Sequence, residues 1–188
     1  MIGMPDWEVT DMRIRRMARA GLGRPPDSEF QQLLATQLAV THALHTAVAG
    51  GAVDAVLEQV CVGLEWELGV VWIEDSASRE LVCGGLWQPP DEPLGSFAAA
   101  IREAGDSPVV AFAQAAWESR STSWLAQDAA AAVPEVECGV AVAVVGGGHA
   151  IGVLGFFAGR RRDPDAGLGE LIEGFGLQLG EAIARDEA

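Results

Sequence analysis

An α+β fold, an antiparallel sheet flanked by long amphipathic helices, follows from three features of this sequence. The first is Cys138 to Ala158, CGVAVAVVGGGHAIGVLGFFA, two apolar runs of strand length around Gly146-Gly147-Gly148. The second is a pair of helical stripes, Phe30, Leu33, Leu34, Leu38, Leu44 and Val48 near one end, and Leu168, Leu171, Ile172, Phe175, Leu179 and Ile183 near the other. The third is a pair of shorter apolar runs, ELGVVWIE (67–74) and ELVCGGLW (80–87), joined by a polar turn at Asp75 to Ser78. Almost nothing in the 138–158 stretch is charged, so it is expected at the centre of the sheet.

Taken in order, residues 6–20 can form a short amphipathic helix with Trp7, Met12, Ile14, Met17 and Ala18 as its apolar members. The Gly21-to-Pro26 stretch then breaks the chain as a linker. Residues 1–26 are therefore read as an arm and linker, and 27–188 as the folded domain. Asp27 or Ser28 caps a helix that runs to Gly50-Gly51. A second helix over about 52–65 buries Val53, Val56, Leu57, Val60 and Leu64. The first two strands follow, and Pro89-Pro90-Asp91-Glu92-Pro93 opens an irregular region. Short helices are expected over 97–103 and 108–119, and a short edge strand over 123–126. In the central hairpin Val140, Val142 and Val144 alternate with Gly139, Ala141 and Ala143, giving one bulky and one small face. Three glycines supply the positive φ of a tight turn, and Pro164 starts the last helix.

The chain has 188 residues, 49% of them hydrophobic, with a formal net charge of −15. That charge disfavours nucleic acid, a polyanion, as a partner. The N-terminus lacks a signal peptide's apolar block, and no apolar run is long enough to span a bilayer, so a cytoplasmic protein without membrane association is expected. The charge is uneven: residues 1–24 hold five Arg against three acids, +2, leaving −17 for the rest. An arginine-bearing arm on an acidic body suggests that it lies against its own body, a partner subunit or a downstream protein. All twelve basic residues are Arg, and Lys, Asn and Tyr are absent, a bias expected of a GC-rich bacterial genome. Cys61, Cys83 and Cys138 have no zinc or disulfide spacing, so free, mostly buried thiols are expected.

Residues 28–186 resemble a GAF domain, the small-molecule-sensing module of bacterial signalling proteins. The matching pieces are AVDAVLEQVCVGL, ELGVVWIED, AAWESRSTSWLAQ, and the hairpin with its closing helix, VAVAVVGGGHAIGVLGFF to GLGELIEGFGLQLGEAIA. The resemblance implies an antiparallel sheet of about six strands, with the long N- and C-terminal helices on one face. Short helices and loops from 88–134 would cover the other, and relatives hold ligands beneath that second layer. The Gly-Leu-Pro-Gly-like turn of many sensor-kinase GAF domains is replaced here by Pro108-Val-Val-Ala-Phe-Ala-Gln-Ala.

Trp72, Cys83, Trp87, Phe97, Phe112, Trp117, Trp124 and Cys138 are the candidate ligand-binding residues, an aromatic set suited to a flat or apolar molecule. Core packing explains the same residues without any ligand. Glu74, Glu118, Arg120 and Gln127 could serve as polar anchors. His42 and His45 read as ordinary helix residues, and His149 as an exposed turn residue. Bilin attachment in relatives uses a cysteine usually followed by His, whereas Gly84 follows Cys83 and Gly139 follows Cys138. The Asn-Lys-Phe-Asp-Glu set of cyclic-nucleotide GAF domains is absent. Free methionine sulfoxide reductases share the fold and use three clustered cysteines, but Cys61 is expected on a helix away from the pocket. Gly146-Gly147-Gly148 lacks the Lys-Ser/Thr and helix of a phosphate loop.

The expected function is a non-catalytic sensory or regulatory module. A ligand in the aromatic pocket, or a redox event at Cys83 or Cys138, would shift paired helices of a homodimer formed through 28–49 and 165–186. The alternatives are a ligand-free interaction scaffold and a haem-based gas or redox sensor. No cofactor and no metal ligand set follow from the residues themselves.

Overall fold

The computed structural model describes residues 26–47, 51–75, 77–103, 108–125 and 135–186. The arm with its expected helix over 6–20, and the alanine-rich stretch with Gln127, lie outside the described residues. Among the described residues, five helices and five strands occur in the order α1 (Pro26–Thr46), α2 (Ala52–Leu64), β1 (Leu68–Glu74), β2 (Leu81–Trp87), α3 (Gly95–Glu103), α4 (Pro108–Ser119), β3 (Ser123–Trp124), β4 (Cys138–Gly146), β5 (His149–Ala158) and α5 (Ala166–Asp186). The strands form one antiparallel sheet in the order β2-β1-β5-β4-β3. Five described strands stand where the resemblance implied about six, and the shortest, β3, closes one edge with two residues. The uncharged hairpin does supply the middle of the sheet. β5 is its central strand, and Gly147 and Gly148, at φ +57° and +81°, form the two-residue turn.

The alternation of β4 sorts the molecule into two cores. Cys138, Val140, Val142 and Val144 face α2 and α5, together with Leu154 and Phe156 from β5. Ala141 faces α3 and α4, with Trp72, Val153 and Phe157. α5 rests on β4 through glycine. A Cβ on Gly176 would come within 2.5 Å of the Ala143 carbonyl oxygen, and one on Gly180 would collide with the Val145 carbonyl. Only the missing side chains let helix and strand backbones approach this closely. α1 then packs on α2 and α5 as an outer layer. Thr36, the one buried polar residue of the described core, donates from Oγ1 to Gln32 O at 2.9 Å and occupies the space left by Gly63.

Two arginines of the β5–α5 loop close the end of α2, where unpaired carbonyls carry partial negative charge. Arg162 Nη2 donates to Leu64 O at 2.6 Å and its guanidinium lies 4.7 Å from the Trp66 ring centroid. Arg160 Nη2 donates to Glu65 O at 2.6 Å and to Glu65 Oε2 at 2.9 Å. Burial, then the neighbouring Arg160, pull the Arg162 guanidinium below its ordinary value.

Candidate functional site

The layer between the sheet and α3/α4 is organised around Phe157, which has no solvent exposure. Phe97 from α3 meets it edge-on with ring centroids 5.0 Å apart, Phe112 from α4 at 6.1 Å, and Trp72 from β1 at 6.3 Å. Such tilted and T-shaped contacts bring positive ring edges to negative ring faces. Small residues make the room. Gly155 lies under Trp72, where a Cβ would come 2.5 Å from Cζ3, and Gly139 lies under Phe157, 2.8 Å from Cδ1. Ala98, Ala113 and Ala116 bring the two short helices down onto these rings. Cys83, Leu86, Phe112, Trp117 and Leu125 form the half-buried rim, and Trp117 Nε1 donates to Ala150 O at 3.4 Å.

Five of the eight candidate residues therefore share this face: Trp72, Cys83, Phe97, Phe112 and Trp117. Trp87, Trp124 and Cys138 do not, because they belong to the helix-side core. The cause in β2 is a bulge. The pairing of β1 with β2 shifts between Val71/Trp72, opposite Gly85 and Cys83, so Gly84 is the extra residue. Plain alternation puts Cys83 and Trp87 on one face, and the inserted residue turns Trp87 to the other. Cys138 follows the parity of Val140, while Trp124 pairs with Val140 directly.

Burial pushes the Cys83 thiol up, with the Gly85 backbone contact and Arg102 opposing it. Burial likewise raises Cys138, against the pull of Arg162, and drives Cys61 up strongly. Protonated thiols are poor nucleophiles. The supposed polar anchors are engaged elsewhere. Glu74 pairs with Arg79 at 2.8 Å and Glu118 accepts from Gln114 Nε2 at 2.9 Å, while Arg120 is exposed. His42, His45 and His149 are all exposed, the last with Nδ1 3.0 Å from Gly147 O. Among the described residues no three His, Cys, Asp or Glu are arranged to hold a metal.

Among the described residues, two openings lie on the helix side, and sequence reasoning pointed to neither. A cleft of 480 Å³ is bounded by α1, the end of α2 and the β5–α5 loop, and a groove of 250 Å³ runs between α1 and α5. Beside the groove, the outward side of α1 carries Phe30, Leu34 and Leu38 at 67%, 47% and 64% exposure, with Leu177 of α5 at 52%. From residue 30 to 46 α1 holds no Asp, Glu, Lys or Arg. The α5 stripe expected at a dimer face is largely used up inside, since Ile172, Phe175 and Leu179 are fully buried.

The chain has a GAF-like fold. A GAF domain from an Acinetobacter phosphoenolpyruvate-protein phosphotransferase is 14% identical, with a TM-score of 0.63 over 82% of this chain and 94% of that one. The corresponding domain from Coxiella burnetii is 12% identical, TM-score 0.63, covering 84% and 95%. The free methionine-R-sulfoxide reductase of Neisseria meningitidis, solved in complex with its substrate, is 14% identical with a TM-score of 0.60 over 88% and 96%. No protein-family model and no curated protein matches the chain.

Proposed function

We propose that residues 27–188 form a non-catalytic regulatory module of the GAF type that works by self-association through its long helices. The observation that carries this reading is the uncharged outer side of α1, where Phe30, Leu34 and Leu38 stand one helical turn apart in solvent. Exposed apolar patches of this kind mark interaction surfaces. The partner is a second copy, pairing α1 with α1 and extending over Leu177. A change in the α3/α4 layer reaches this face by a short path. Phe157 touches β4 at Gly139, and β4 carries α5 through Gly176 and Gly180. Small shifts of a packed sheet then bias two arrangements of the helices. Three free thiols fit a reducing cytoplasm.

In this reading the layer that holds ligands in relatives is filled by the chain's own rings, Trp72, Phe97 and Phe157. The half-buried rim of Cys83, Phe112 and Trp117 favours a second reading, in which a small flat molecule displaces one of those rings. Haem sensing draws no support from three exposed imidazoles. Reductase chemistry draws none from Cys61 and Cys138 in one core and Cys83 in the other. Sedimentation of the full chain tests the main reading. A dimer is expected at micromolar concentration, and Leu34→Glu with Leu38→Glu should give a folded monomer with an unchanged circular dichroism spectrum. A wild-type monomer, or variants that remain dimeric, would refute it.

A further inference from the structure

The cleft of 480 Å³ beside the start of α1 has a mixed character. Its floor is apolar, built from Leu33, Leu64, Pro164 and Leu168, and its walls carry Glu29, Gln32, Glu65, Asp163 and Asp165 around Arg162. Two of the three arginines of this loop are already committed. Arg162 is held by Leu64 O over Trp66, Arg160 by Glu65, and Arg161 lies 3.8 Å from Asp163. Asp165 Oδ1 accepts from Leu168 N at 2.6 Å, so it caps α5 and keeps a second oxygen. Glu29 feels Arg162 but makes no short ion pair with it.

The chain itself brings a complementary segment to this place. Residues 1–24 carry Arg13, Arg15, Arg16, Arg19 and Arg24 against three acids, beside the apolar Trp7, Met12, Ile14 and Met17, while the remainder has a net charge of −17. The arm joins the fold at Pro26, and Glu29, Gln32 and Leu33 line the cleft within the next two turns of α1. Leu33 is about 10 Å along the helix from that junction. Six residues, 20–25, are long enough to span at most roughly 20 Å.

We propose that the arginine-bearing arm folds back and docks in this cleft of its own chain. Its arginines meet Glu29, Asp163 and the free oxygen of Asp165, and its methionines cover Leu33, Leu64 and Leu168. The arm thereby straps α1 to the β5–α5 loop, and its release would free the first turns of the helix on which association depends. Such a contact is largely electrostatic at its rim and weakens with salt.

The absence of lysine makes a direct test possible in the full chain. Arg16→Lys or Arg19→Lys keeps the charge and adds one ε-amine to a sequence that holds no other lysine. Zero-length carbodiimide coupling of each variant, with mass spectrometry of the peptides, then reports which carboxylates lie against the arm. A mixture of light and heavy-isotope chains separates links within a chain from links between chains. The expected result is coupling within one chain to Glu29, Asp163 or Asp165, falling several-fold at about 0.5 M salt. Coupling mainly between light and heavy chains would overturn docking in cis and make the arm a reach to a neighbour. Coupling scattered over the acidic surface, or none at all, would overturn the cleft as its site.

Discussion

The two faces of the sheet close in opposite ways. On the α3/α4 side, aromatic rings converge on Phe157 over a floor of Gly139, Ala141 and Gly155, and the rim is half-buried. On the helix side, valines from β4 meet α2 and α5, the latter held at backbone distance by glycine, and α1 lies outside them. On the first face the described rings pack on one another around Phe157. The second face is finished inside yet leaves Phe30, Leu34, Leu38 and Leu177 in water. Filling a layer with the chain's own rings and leaving a stripe of apolar residues outside are different investments of hydrophobic surface. That contrast is what supports the proposal that the protein associates through its helices.

Truncating the hub should produce the largest effect. Phe157→Ala removes a fully buried ring and all three edge contacts, costing about 3–5 kcal/mol in denaturant unfolding. The space it leaves should take up indole or benzene, seen as a rise in melting temperature with added ligand that the parent protein lacks. The equivalent disruption on the other face needs an addition instead. Gly180→Val drives a side chain into the Val145 carbonyl and should cost about 3 kcal/mol, with α5 lifted from β4. Unchanged stability in either variant breaks the comparison at that face.

Much of this arrangement was legible in the residues. The hairpin, its glycine turn and its central place in the sheet follow from a long uncharged alternation, which few other structures satisfy. So does the division of β4 into a bulky and a small face, which is what separates the two cores. The aromatic set was read less well, because facing depends on counting by twos. One extra residue at Gly84 reverses the count for Trp87, and a second register shift near Val144/Val145 turns Ile151 toward the helix side. Bulges leave little trace beyond a Gly-Gly pair. The cleft was invisible for another reason, since Arg162 and Leu64, which it brings together, are 98 residues apart. The run Arg160-Arg161-Arg162 directly after a strand was its only local sign.

Alkaline titration compares the faces more finely. With no lysine or tyrosine in the chain, the three thiols are the side chains that respond to alkaline pH before arginine does. Burial raises Cys61 above its ordinary value of 9.0 in the folded state, so its contribution is intact below pH 9. As pH rises further the unfolded thiol ionises while the folded one stays protonated, and stability falls by up to about 1.4 kcal/mol per pH unit. Cys61→Ala should flatten that slope more than Cys83→Ala, because the helix side buries its thiol more completely. Equal flattening would mean the two faces exclude water alike. The smallest expected effect has the opposite sign. Gly174 sits in α5 with open space around its Cα, so Gly174→Ala should stabilise by about 0.5–1 kcal/mol. Its contrast with Gly180→Val separates glycine needed for docking from glycine that is not.

The most direct test of the central claim is native mass spectrometry of the freshly purified full chain, with an absorption spectrum of the same sample. The account predicts a colourless protein at twice the chain mass with nothing added, its aromatic layer filled and its helices paired. A visible chromophore, or a small molecule retained on each chain, would contradict it by showing that the layer around Phe157 opens to hold a ligand.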